Sequence, residues 1–214
     1  MDGFRAARFV PNSQRYWDNS KNWPTNYGPA YRDVNLGPSY FVPCTEKYAL
    51  CFSSGPEPLP CELDKSGRFA KCKCTVESGI NFVLITSILN AEVYQETLDV
   101  CGTDGSACSD HPDQAPVCQY LRRGRLIPGS DIISTFNPQL RSKLNEASAG
   151  RANALTQCPK GPYAGCMTAG CKLKHGYAEC NCPVFYGPFQ LTQEDASCDL
   201  GDDLIWSASY TPAP

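Results

Sequence analysis

The chain has 214 residues, 42% of them hydrophobic and 19% charged, a composition that is ordinary for a folded protein and excludes disorder as its main state. Nineteen basic residues against 22 acidic ones leave a net charge of −3, which removes the electrostatic footprint expected of a nucleic-acid or anionic-membrane binder. Fourteen cysteines, with 17 glycines and 18 prolines, have the form of a disulfide framework built in an oxidising compartment.

The longest apolar run, Phe82 to Leu89, is far short of a membrane span, so no span is expected. The opening stretch MDGFRAARFV has no apolar core of the kind a secretory leader carries. The cysteines outweigh that observation, and the expected location is extracellular, cell-surface or periplasmic.

Residues 1–43 contain no cysteine yet hold nine of the 23 aromatic residues, with Tyr16, Trp17, Trp23, Tyr27 and Tyr31 set among Asn, Gly and Pro. Such a segment has little periodicity and reads as an irregular aromatic arm. Two roles fit it: a belt covering an apolar face, or a recognition surface, because Tyr and Trp join apolar area to a polar tip. A protein or glycan partner suits that surface, and the arm can also extend into another copy of the chain by strand addition.

From residue 44 the cysteines fall into a repeat. CTEKYALC, a third Cys and then GRFAKCKC, from Cys44 to Cys74, align with CPKGPYAGC, a third Cys and then GYAECNC, from Cys158 to Cys182. Downstream, Cys118 corresponds to Cys198. The alignment equates Cys44, Cys51, Cys61, Cys72, Cys74 and Cys118 with Cys158, Cys166, Cys171, Cys180, Cys182 and Cys198. Cys101 and Cys108 are left over and are expected to pair with each other. The expected architecture is mainly β with short helices, stapled by disulfides: arm 1–43, first cysteine-rich unit 44–138 with an insert, helical linker 139–157, second unit 158–214.

Seven bridges at roughly 2–4 kcal/mol each would hold two units too loop-rich to rely on packing alone. Six cysteines per unit permit 15 connectivities, and spacing argues only against bonding two cysteines one residue apart. In a strand, residues i and i+2 share a face, so Cys72 with Cys74, and Cys180 with Cys182, can staple one strand to two neighbours. Lys73 and Asn181 between them face water. FAKCKCTV and INFVLI around ESG read as a β-hairpin, as do AECNCPVF and PFQL around YG.

Further elements follow in order. ITSILNAEVYQETLDV, 85–100, has Ile85, Ile88, Leu89, Val93 and Tyr94 spaced for the buried stripe of a helix. NPQLRSKLNEASAG has a capping Asn137, Pro138 in the first turn, Leu140, Leu144 and Ala147 on one face, and Gly150 at its end. DIISTF and LIWSASY are expected to be strands closing the first and second units respectively.

Candidate chemistry is sparse. Asp110, His111 and Asp113 form the one compact polar cluster, in a loop between cysteines, and read as a solvated turn; His175, between Lys172, Lys174 and Tyr177, reads as a surface turn. No Cys-x-x-Cys is present, which weighs against thiolate zinc and iron–sulfur sites. No resident cofactor is expected, although Glu194, Asp195, Asp199, Asp202 and Asp203 offer hard oxygen ligands for calcium outside the EF-hand order. After Cys118 come Arg122, Arg123 and Arg125, and after Cys198 come Asp199, Asp202 and Asp203; they read as independent solvated turns, or as opposite charges that would meet if units stacked head to tail. The reading favoured is a secreted non-enzymatic binding or assembly protein. A metal-thiolate or redox protein and a small disulfide-rich hydrolase are the alternatives.

Overall fold

The computed structural model describes residues 41–52, 60–85, 88, 91–102, 105–122, 129–139, 156–191, 193, 196–201 and 203–210. The five aromatics of the arm, Arg123, Arg125, Asp202, and the body of the 139–157 linker lie outside them.

Nine strands among the described residues form an antiparallel sheet system. In chain order they are β1 (Phe41–Leu50), β2 (Cys61–Leu63), β3 (Phe69–Leu84), β4 (Ile132–Ile133), β5 (Thr156–Ala164), β6 (Gly170–Leu173), β7 (Ala178–Leu191), β8 (Leu204–Ile205) and β9 (Ser209–Tyr210). Two helices, α1 (Ala91–Cys101) and α2 (Pro116–Arg122), lie between β3 and β4.

The central sheet has the order β4-β6-β7-β3-β2-β8. At its middle β3 and β7 run antiparallel from Phe69↔Pro183 to Cys74↔Ala178, with Cys72 directly opposite Cys180. Here β3 alternates buried and exposed, with Ala70, Cys72 and Cys74 inward and Lys71, Lys73 and Thr75 outward. This is the period-2 pattern of a sheet with one solvated face.

Beyond the middle the two long strands part and take new partners. Residues 75–84 of β3 pair with β1, Cys44 opposite Asn81, and residues 184–191 of β7 pair with β5, Cys158 opposite Phe189. The two expected hairpins are therefore single continuous strands. Glu77, Ser78 and Gly79 stay in the ladder opposite Tyr48, Lys47 and Glu46, and Tyr186 and Gly187 stay opposite Pro162 and Gly161. Gly79, at φ 110°, takes a backbone that side-chain-bearing residues rarely adopt, an irregularity the ladder accommodates without breaking. The Tyr48 hydroxyl donates to Glu77 Oε2 at 2.6 Å and ties the same segment to β1.

The two closing segments meet the expectation only in their second halves. Their first halves pair elsewhere: β4 with β6, Ile132 opposite Cys171, and β8 with β2, Ile205 opposite Cys61. Their second halves pair as expected: Ser134 bridges Ala49 and Phe136 bridges Phe82, while Ser207 bridges Ala164 and β9 pairs with β7, Tyr210 opposite Phe189. The expected 85–100 helix begins only at Ala91, because Ile85 follows directly on β3 and Ile88 is buried ahead of the helix. The Ile88 N–H donates to Ile85 O at 3.1 Å, a tight turn that separates the end of β3 from the helix.

All fourteen cysteines are bridged: Cys44–Cys118, Cys51–Cys74, Cys61–Cys72, Cys101–Cys108, Cys158–Cys198, Cys166–Cys182 and Cys171–Cys180. β3 is thus stapled to the end of β1 and to β2, and β7 to the loop after β5 and to β6. Four of these bridges lie together beneath the central sheet with Ala49, Ala70, Ala164, Ala169 and Ala178, a core of small residues and sulfur. The Sγ atoms of Cys72 and Cys166 approach to 3.4 Å, a packing contact since neither carries a proton. A second cluster holds the large side chains, including Phe41, Leu84, Ile88, Phe189 and Leu191, with Val93 of α1 and Val117 of α2 covering it. Phe41 and Val42, the first residues of β1, are fully buried there.

Candidate interaction face

The outward face of the central sheet is built from alternate residues of β2, β3, β6 and β7, whose inward neighbours are the bridged cysteines. Bridging cysteines on one side thus fixes which residues meet solvent on the other. Two cross-strand rows result. One runs Leu204, Glu62, Lys71, Asn181, and the other Lys73, Glu179, Lys172. The second row continues to Asp131, whose Oδ1 lies 3.3 Å from Lys172 Nζ and whose Oδ2 accepts the Leu173 backbone N–H at 2.9 Å. That N–H, with Lys172, holds the Asp131 carboxyl below its usual pKa.

Positive and negative groups alternate along the second row, and Glu62 stands opposite Lys71 in the first, an arrangement that stabilises opposed strands. Between the rows a shallow recess of about 180 Å³ is lined by Pro60, Glu62, Lys71, Lys73, Glu179 and Leu204. Lys73 Nζ sits 6.0 Å from the centre of the Tyr177 ring. The face offers many donors and acceptors on a cross-linked backbone and little net charge.

The polar cluster read from the sequence is differently arranged. Asp113 has left its loop neighbours and caps the edge of β1: its Oδ1 accepts the Thr45 N–H at 2.8 Å, its Oδ2 accepts the Thr45 hydroxyl, and its own N–H donates to Pro43 O at 3.0 Å. Arg122 lies 2.5 Å from Glu46 and 3.4 Å from Asp113. Both Asp113 oxygens thus accept hydrogen bonds from Thr45, and His111 is exposed. His175 lies exposed in the turn between β6 and β7.

Arg122, one of the three arginines that would meet acidic residues if units stacked, is paired with Glu46 of β1 and with Asp113. Asp199 and Asp203 are exposed, and Asp199 Oδ1 accepts the Gly201 N–H at 3.0 Å in a local turn. Several sulfurs crowd together, Cys51, Cys171 and Cys180 within 4.8 Å of one another, but all belong to bridges and none is a thiolate.

Sequence reasoning did not single out the Lys–Glu rows. A signal for them existed: Glu62 and Lys71 align with Lys172 and Glu179, an exchange of sign between corresponding positions. Asp131 had no such signal, because its partner is supplied by the exchanged strand. The chain matches no protein-family model, no curated protein and no solved structure among those compared.

Proposed function

We propose that the protein is an extracellular, disulfide-stapled binding or assembly protein without catalytic activity of its own, built from two cysteine-rich repeats that pack about an approximate two-fold axis. The observation that carries this reading is the central sheet. Its order β4-β6-β7-β3-β2-β8 is unchanged in kind when the two repeats are interchanged, and the axis passes between Cys72 and Cys180. The bridges support it. Under the alignment Cys44–Cys118 corresponds to Cys158–Cys198, Cys51–Cys74 to Cys166–Cys182, and Cys61–Cys72 to Cys171–Cys180.

A scaffold of this kind holds an open polar sheet face rigid at little ordering cost, which is what a binding surface needs. Its partner is an extended protein or glycan chain, or another copy of the protein, engaged by the Lys–Glu face with help from the rings of Tyr16, Trp17, Trp23, Tyr27 and Tyr31. The test is intact mass after alkylation, with and without reduction, on protein exported to an oxidising compartment, followed by peptide mapping. Alkylation is expected only after reduction, with bridges in corresponding places. Four or more free thiols in the native protein, or bridges between non-corresponding cysteines, overturn the reading.

A further inference from the structure

The four bridges of the first part span Cys44 to Cys118 and the three of the second span Cys158 to Cys198, so no disulfide joins the parts. Among the described residues they meet along a seam made of the β3–β7 ladder, the β4–β6 and β2–β8 pairings, and the sulfur-rich core beneath. Each part gives the other an edge strand. Ser134 N donates to Ala169 O at 3.0 Å and Leu63 N to Asp203 O at 2.9 Å, so neither part completes its own sheet.

The seam also carries a charge code. Lys73 stands opposite Glu179 and Lys71 opposite Asn181. Were the first part laid against a copy of itself in this register, with Cys72 opposite Cys72, Lys71 would oppose Lys73 twice. Like charges directly opposed destabilise a ladder. The second part against itself would set Glu179 against Asn181 twice and lose the Lys–Glu opposition.

Resting on the two-repeat reading, we propose that the seam is a heterospecific recognition surface: residues 41–139 bind residues 156–210 without a covalent link, and the partner it fits is that complementary part, from the same chain or a second copy. Two copies can then exchange parts and form a closed, reciprocal dimer.

The experiment introduces a protease recognition sequence between Ser142 and Gly150 of the full chain, folds the intact protein, and then cuts it. The cut protein is expected to elute with the uncut one under native conditions and to run as two bands on a non-reducing denaturing gel. Mixing cut samples with and without isotope label should yield mixed-mass complexes. Lys73→Ala and Glu179→Ala should each raise the dissociation constant of the cut protein roughly two- to fivefold, and the double variant should cost less than the product of the two factors. Parts that separate in native buffer at micromolar concentration, or single-variant factors that simply multiply, overturn the proposal. A cut chain that stays one band on the non-reducing denaturing gel overturns the two-repeat reading itself, since a bridge then crosses the seam.

Discussion

Cys72 and Cys180 lie directly opposite each other across the β3–β7 ladder, yet each is bonded sideways, Cys72 to Cys61 on β2 and Cys180 to Cys171 on β6. Bridges therefore run within each part and outward from the seam. Disulfides fix each part internally, while across the seam itself, among the described residues, only hydrogen bonds and packing act.

The bridges differ in how much chain they close, which gives an ordering of stabilities. Cys44–Cys118 has a sequence separation of 74 and Cys101–Cys108 one of 7. Loop-closure entropy, with the other bridges short-cutting the longer loop, gives roughly 4 kcal/mol for the first and roughly 2.5 kcal/mol for the second. Denaturant unfolding of Cys44→Ala/Cys118→Ala and Cys101→Ala/Cys108→Ala should show this order. The reverse order would mean that local strain or packing, not chain entropy, sets their contribution.

Asp113 is the carboxylate that seals the edge of β1, with φ 65°, a conformation Asn also tolerates. Asp113→Ala leaves the Thr45 N–H without its acceptor and should cost roughly 1–2 kcal/mol. Asp113→Asn keeps an acceptor and the backbone preference, and should recover about half of that loss. Equal losses in chemical denaturation would show that the charge beside Arg122, rather than the hydrogen bond, is what matters.

The turn between β2 and β3 gives a pH dependence. Partial burial raises the Asp64 pKa, but the Ser66 hydroxyl and the N–H groups of Phe69, Ser66 and Arg68 outweigh it, so the net shift is downward. Asp64 Oδ1 accepts from Ser66 Oγ at 2.7 Å and Ser66 N at 3.0 Å. A depressed folded-state value means the stabilisation is present above the unfolded pKa of about 3.9 and is lost as pH falls through the folded value. The stability gap between wild type and Asp64→Asn, measured in urea, should therefore shrink as pH is lowered from about 6 toward about 2. A gap independent of pH would assign the turn's stability to backbone geometry alone.

What could be read without coordinates was whatever depends on local periodicity or on counting. The i, i+2 spacing of Cys72 with Cys74 and of Cys180 with Cys182 puts both members on one face of a strand, and the even cysteine count accords with full oxidation. The Val93 and Tyr94 part of the insert carries a true helical stripe, and α1 includes both. What depends on which strand supplies a partner was not legible. ESG at 77–79 has turn composition, but β1 offers a continuous antiparallel partner with Tyr48 bonded to Glu77, and ladder bonds over ten residues override a weak turn preference. The destinations of Ile132 and Ile205 were likewise decided by tertiary structure. Either strand could satisfy its backbone against its own unit or the other, and the exchange follows from where β2 and β6 leave open edges once β3 and β7 have paired.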